Sequence, residues 1–282
     1  MTIPNSFTEE KVNSWEDLLK IINGLSDRWI FRGQPSNDPL RTTLERACKD
    51  YGIHLRKAPG IEEHLIRDFR RRYRGDDWPI IQKDTLYCLS LMQHHGAPTR
   101  LLDWTYSPFV ATYFALEKKV SSGPVVWCLN GDWCEEQTTS LEIGDLISKR
   151  NDDKKRTDKT FKPLYMGKKR YKFVLPENPL PLNERLTIQK GLFLCPGNVA
   201  LRFETNLKSL KGWNSRDGVL KLRFQMKRDA HIRAIKELHR MNVARDSLFP
   251  GLDGFAESLK QKLPVYEKMA ERGVGKATAR LV

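Results

Sequence analysis

Residues 93–107, Gln-His-His-Gly-Ala-Pro-Thr-Arg-Leu-Leu-Asp-Trp-Thr-Tyr-Ser, collect the side chains of this sequence best suited to chemistry. A connection that only packs does not need so many polar and aromatic groups together, and loops of this content usually carry function. Arg100 and Asp103 are read as facing a ligand beside a helix N-terminus. The alternative is an internally bonded connection in which the two pair with each other. His94, His95 and Asp103 have the residue types of a metal site. Adjacent residues on a helix point about 100° apart, however, so two neighbouring histidines rarely share an ion without local unwinding, and no metal is expected. Ser107, His95 and Asp103 have the residue types of a hydrolytic triad, but no nucleophile-elbow sequence surrounds Ser107.

Three further clusters carry charge or polarity in a suggestive setting. Arg32-Gly33-Gln34-Pro35 follows a short apolar run, and an arginine at a strand end beside glycine can meet an anion with side chain and backbone together. The alternative is a surface arginine next to a turn. Arg70, Arg71 and Arg72, with Tyr73 beside them, can follow a phosphate backbone or simply form a solvated helix end. Lys154, Lys155, Lys168, Lys169 and Arg170 fall in residues 149–172, which are basic and poor in core residues. That stretch is read as a mobile insertion contacting nucleic acid or a protein, or as a tolerated surface loop.

Regular elements must hold these groups. Ser14 as cap, Glu16 and Asp17 in the first turn and Gly24 at the exit mark a helix over 14–24. Residues 28–34 read as a strand, and 39–49 and 61–74 as helices, the latter burying Ile61, Leu65 and Phe69. Helical spacing brackets the 93–107 loop, through Leu86, Leu89 and Met92 before it and Phe109, Val110, Tyr113 and Phe114 after it. Ser107-Pro108 is a good start for the second of these helices. Residues 124–130 read as a buried strand and 138–148 as a short helix. Pro176, Pro179 and Pro181 read as breaking regular structure. Residues 183–194 alternate through Leu186, Ile188, Leu192 and Leu194, with Arg185 and Gln189 among their polar partners and Gly191 suggesting a bulge. Residues 218–226 alternate as a half-buried strand, and 229–242 and 252–262 read as helices.

Bulk properties bound the possibilities. The chain of 282 residues is long enough for a substantial core. Its five scattered cysteines match neither a disulfide framework nor a zinc site. No apolar run approaches the roughly 18 residues of a membrane span, and the N-terminus lacks the features of a secretion signal. A cytoplasmic protein without a membrane partner is expected. The formal net charge of +14 favours polyanionic partners such as RNA, DNA, nucleotides or an acidic protein. No internal repeat and no linker divides the chain.

Trp29-Ile-Phe-Arg-Gly-Gln, Gln93-His-His-Gly-Ala-Pro-Thr-Arg-Leu-Leu-Asp-Trp-Thr with Ser107-Pro108, Arg185-Leu-Thr-Ile-Gln-Lys-Gly-Leu-Phe and Leu248-Phe-Pro-Gly-Leu-Asp-Gly together resemble the FRG-domain family, named for its Phe-Arg-Gly motif. The resemblance implies an α+β fold with an ADP-ribosyltransferase-like split central sheet and flanking helices. It implies a single domain over 14–262, with 1–13 as an N-terminal extension, 149–172 as the insertion and 263–282 as a charged tail. It further implies an NAD-dependent ADP-ribosyltransferase toxin that modifies nucleic acid, RNA more than DNA, in anti-phage defence. An antitoxin, with a chaperone in some systems, would restrain it.

On that reading Arg32, Ser107 and Gln189 are catalytic. Arg32, Gly33, Gln34, His95, Thr99, Arg100, Asp103 and Thr105 bind NAD, which is a co-substrate, and no metal takes part. Gln189 departs from the glutamate usual at the late position: it can neither act as a base nor offer charge to a developing cation. Either another carboxylate, Glu184 or Asp103, serves, or the acceptor needs little activation, or the enzyme is impaired. Two rival readings remain, a non-enzymatic RNA- or protein-binding module on the same scaffold, and a nucleotide hydrolase.

Overall fold

The computed structural model describes residues 6–118, 123–153, 157–180, 184–252 and 254–259. Seven strands build one mixed sheet: β1 (Thr8–Val12), β2 (Trp29–Gln34), β3 (Leu102–Thr105), β4 (Val125–Asn130), β5 (Val174–Glu177), β6 (Gly191–Pro196) and β7 (Val219–Phe224). Their spatial order is β1-β7-β4-β2-β3-β6-β5. Only β1 and β7 run parallel; every other neighbouring pair is antiparallel. The helices are α1 (Trp15–Asn23), α2 (Thr43–Asp50), α3 (Ala58–Arg72), α4 (Trp78–Lys83), α5 (Thr85–His94), α6 (Pro108–Leu116), α7 (Gly131–Thr139), α8 (Gly144–Asp152), α9 (Asp158–Tyr165), α10 (Glu184–Ile188), α11 (Phe203–Leu207), α12 (Arg228–Arg240) and α13 (Arg245–Leu248). The chain is therefore α+β, as the sequence suggests.

Strand alternation sends side chains to opposite faces of a sheet, and each face carries a core. On one side Ile30, Trp127, Leu129, Leu192 and Leu194 pack with Cys88, Leu89 and Met92 of α5 and with Ile147, Phe161 and Leu164. On the other, Phe31, Val126, Cys128, Leu220 and Leu222 meet Leu18, Val110, Tyr113 and Leu238. All five cysteines are free and buried.

The pairing of β2 decides where a site can form. Along β4 it is paired at every residue from Trp29 to Gln34. Along β3 it has one bridge, Phe31 opposite Thr105. Past that bridge the two strands part, leaving Arg32, Gly33 and Gln34 on one lip and residues 102–104 on the other. Helix α6 lies on β2 at the same point. A Cβ added to Gly33 would stand 1.8 Å from the carbonyl oxygen of Ala111, so glycine is what lets this helix approach. Gly33→Ala must displace α6 or bend β2. A loss of about 1–3 kcal/mol in denaturant unfolding is expected, as for other overpacked sites; an unchanged midpoint would contradict the close approach.

Several sequence expectations give way to tertiary structure. Residues 93–107 are not a continuous loop, because β3 occupies their second half. The stretch 149–172 is not a detached insertion: α9 buries Phe161, Leu164 and Tyr165, and Arg150 of α8 is 2% exposed. Lys154 and Lys155 lie outside the described residues, as does the tail 263–282. The N-terminal extension supplies β1 from Thr8 onward. Pro176 sits within β5, an edge strand, where a missing N–H does no harm. Residues 184–194 are a helix and then a strand, with the left-handed Lys190 at the turn between them. The single helix expected over 138–148 is two, α7 and α8, broken at 140–143.

Candidate functional site

The parting of β2 and β3 opens a cleft with two adjoining compartments. The first, about 260 Å³, is lined by Arg32 and Gly33 of β2, Asp103, Trp104 and Thr105 of β3, Phe114 of α6, Lys118 just beyond that helix, and Arg185 and Gln189. The second, about 210 Å³, is lined by Thr43, Gln93, His94 and Phe193 together with the same Asp103, Trp104, Arg185 and Gln189. Four residues shared by both walls make them one cleft, whose combined size reaches the range of small-molecule sites, roughly 300–1,000 Å³.

Arg32 bridges the parted strands. Its Nη1 donates to the main-chain oxygen of Asp103 at 2.6 Å and its Nε to Oε1 of Gln34 at 3.3 Å. Burial pushes its pKa down to about 10, with the nearby Asp103 charge opposing that shift. Half-buried Arg32 makes no ion pair with a carboxylate among the described residues, whereas the fully buried Arg100 and Arg150 do. A desolvated, unpaired guanidinium facing a cavity is poised for an anion.

Asp103 is oriented from behind. Nε2 of Gln93, at the end of α5, donates to Oδ2 of Asp103 at 3.0 Å. Gln93 is itself fixed, its Oε1 accepting from Thr99 Oγ1 at 2.6 Å and Thr43 Oγ1 at 3.0 Å. Trp104 is 3% exposed and its Nε1 has no hydrogen-bond partner among the described residues. The residue lines both compartments, while its N–H is itself shut off from solvent. Arg185 stacks over Phe249, centroid distance 5.1 Å, with Arg245 on the same ring at 4.4 Å. Glu117, a carboxylate lining the first compartment, is engaged by Arg245. The cleft thus offers Arg32, Arg185 and Lys118 against a single uncommitted carboxylate, Asp103.

With that geometry in place, comparison with known proteins becomes informative. The family model of the FRG domain matches residues 27–123. The chain carries an FRG domain. No curated protein and no solved structure matches the chain. The FRG match spans Arg32, Gly33, Gln93, Asp103 and Trp104; Arg185 and Gln189 enter the cleft from beyond it.

The sequence-predicted site residues divide sharply. Arg32, Gly33, Asp103, Thr105 and Gln189 reach the cleft. Thr105 does so while donating to the main-chain oxygen of Gln189 at 2.7 Å. Gln189 lies in the turn before β6 rather than on a strand, and its amide nitrogen donates to the Leu248 oxygen at 3.1 Å. That contact ties the segment around Leu248 to the cleft.

Arg100 does not reach it. It is 1% exposed, its Nε 2.9 Å from both carboxylate oxygens of Glu62, and its Nη1 donates to the Tyr165 oxygen at 2.7 Å. It pairs neither a ligand nor Asp103. Burial works against its charge, but Glu62 holds it above the usual arginine range. Thr99 is fully buried, bonding Gln93 and Thr43. Gln34 is 8% exposed and spends its amide on the Asp38 oxygen. Ser107 caps α6 through Val110 N at 3.3 Å and lines neither compartment. His95 is exposed beside His94, ring centroids 5.0 Å apart, and only His94 lines the cleft.

Among the basic residues, Arg70 is committed to the Ile81 oxygen at 2.7 Å and Thr85 Oγ1 at 3.1 Å. Arg72 is exposed, as are Lys168, Lys169 and Arg170, and Lys169 pairs with Glu142. Gln93 and Arg185 are the site residues the sequence reading missed. The signal for Gln93 was a polar side chain at the end of an otherwise apolar helix. Arg185 stood in a motif read as strand, where it would have faced solvent. Among the described residues, no helix is long and apolar enough to cross a membrane, and no three His, Cys, Asp or Glu side chains are grouped to hold a metal ion.

Proposed function

We propose that this chain is an NAD-dependent ADP-ribosyltransferase whose acceptor is nucleic acid, RNA in the first instance. The observation that carries the reading is Arg32, a half-buried guanidinium without an ion-pair partner among the described residues at the parting of β2 and β3, with Arg185 in the same cleft. These groups suit a ligand with a diphosphate and further acceptor oxygens. NAD would supply an ADP-ribosyl group on a nicotinamide leaving group.

The chain's own residues divide the remaining work. Arg32 and Arg185 would hold phosphate oxygens. Asp103, kept in one orientation by Gln93, would set negative charge beside a sugar that becomes cationic as its bond to nicotinamide loosens. Asp103 suits that part better than Glu184, which is exposed and lines neither compartment. Gln189 would position rather than catalyse, since its amide is held by Leu248. A toxin role restrained by an antitoxin belongs to the same proposal. That tether of Gln189 is also what favours a second reading, a binding module that keeps the cleft without transfer chemistry.

The test is incubation with NAD labelled in its adenylate phosphate, together with RNA, DNA or cell lysate. Label in RNA is the expected result. Intact NAD with unlabelled macromolecules throughout would overturn the transferase reading, and binding of RNA without label would favour the module.

A further inference from the structure

A cavity of about 470 Å³, larger than either compartment of the cleft, lies between α3, α4 and α9. Arg67, Arg70, Arg71 and Arg74 line it from α3 and its exit, Lys162 from α9 and Trp78 from α4, with Glu63 the only carboxylate in its wall. Some of that charge is already committed. Arg70 is bonded to Ile81 and Thr85, Lys162 pairs with Asp158 at 2.7 Å, and Nη1 of Arg74 donates to the main-chain oxygens of Arg71 at 2.8 Å and Tyr73 at 2.9 Å, leaving its other nitrogens to a ligand. Arg67 meets only the exposed Asp68, at 3.7 Å, and Arg71 makes no ion pair among the described residues. Trp78 is 44% exposed, which leaves its ring open to a stacking partner.

Arginines spaced along one helix wall with an uncovered aromatic beside them match how single strands are held, by phosphate contacts and base stacking together. An acidic protein surface would satisfy the arginines but give the indole no flat partner. We propose that this groove takes single-stranded nucleic acid, with Arg67, Arg71 and Arg74 on phosphates and Trp78 against a base. The proposal deepens the reading above and rests on it for the acceptor's chemistry. Thr85 lines the groove while Gln93 lines the cleft, at opposite ends of α5. At the helical rise those two residues are about 12 Å apart, so a strand held in the groove lies close to the cleft.

The experiment measures binding of a short fluorescein-labelled single-stranded RNA by anisotropy across a salt series, without NAD. Arg67→Glu with Arg71→Glu is compared with Lys236→Glu plus Arg240→Glu, an equal charge change at exposed positions of α12. The groove pair should bind at least about tenfold more weakly and show a log–log salt slope about 1.4 smaller, since each phosphate contact on a single strand contributes about 0.7. Trp78→Ala should weaken binding by about tenfold with the slope kept, as loss of a stacked base does. Equal weakening by both charge pairs would overturn the proposal, leaving only a generally basic surface. So would wild-type protein that binds polyglutamate in the groove and not RNA. A wild type that binds RNA through the groove yet leaves NAD untouched would uphold the groove and sink the transferase reading instead.

Discussion

Glu62→Ala is expected to destabilise the protein by about 3–5 kcal/mol, the loss typical when one member of a buried ion pair is removed. Glu62 is 0% exposed, and Arg100, its one ion-pair partner among the described residues, is 1% exposed. The variant strands a guanidinium whose remaining contact is the Tyr165 oxygen at 2.7 Å. Urea unfolding followed by tryptophan fluorescence should show the midpoint fall, and Arg100→Ala should fall by a similar amount for the mirror reason. The double replacement Glu62→Leu with Arg100→Met should recover much of the loss, because apolar residues of similar volume often substitute for a buried pair at little cost. If Arg100 instead served a ligand, Arg100→Ala would leave the midpoint in place and remove activity alone.

That pair also marks where reading the sequence reached its limit. The helix at 61–74 was legible from apolar spacing, but Ile61, Leu65 and Phe69 are only partly buried. The turn that faces inward deepest carries Glu62 and Ile66. A carboxylate there looks solvated until Arg100, 38 positions later, arrives beside it. No local pattern announces such a pairing. β7, β4 and β2 were legible because their alternating or continuous apolar runs are long enough to declare a strand. β3 spans four residues, bounded by groups that read as loop chemistry, and its existence depends on β6 pairing along its whole length. The 149–172 stretch misled through composition. Its lysines dominate the count, while Phe161, Leu164 and Tyr165 recur at helical spacing and are the part that matters for packing.

For the cleft, residue type carried further than motif position. Arg32 and Asp103 were identified from charge beside a strand end and within a polar cluster, and both reach the cavity. Ser107 and Thr99 entered the site through the family resemblance; Ser107 caps α6, as Ser107-Pro108 suggests, and Thr99 braces Gln93. The catalytic hydroxyl expected there has Thr105 as its nearest equivalent, although that side chain already donates to Gln189. What organises the site is the failure of β2 and β3 to pair beyond Phe31. Strand separation of that kind follows from tertiary packing of α6 on Gly33 and has no signature in a single sequence.

Under the proposed transferase function, Arg32→Ala is expected to lower kcat/KM by at least about a hundredfold while leaving the melting temperature within a few degrees. The loss follows from removing a charge-assisted contact to an anionic substrate inside a partly desolvated site. The fold should survive because, among the described residues, Arg32 makes no ion pair and donates only to the main-chain oxygen of Asp103 and to the side-chain oxygen of Gln34. Removing a guanidinium whose burial depresses its pKa to about 10 also relieves a desolvation penalty. Arg32→Lys should rescue little, since an ammonium cannot bridge to the Asp103 oxygen and still present a planar fork. Asp103→Asn separates binding from chemistry. The amide oxygen can still accept from Gln93, so NAD affinity should hold while kcat falls. Should Asp103→Asn raise KM and leave kcat alone, the carboxylate would be a binding group, and stabilisation of the cationic sugar would have to come from elsewhere in the chain.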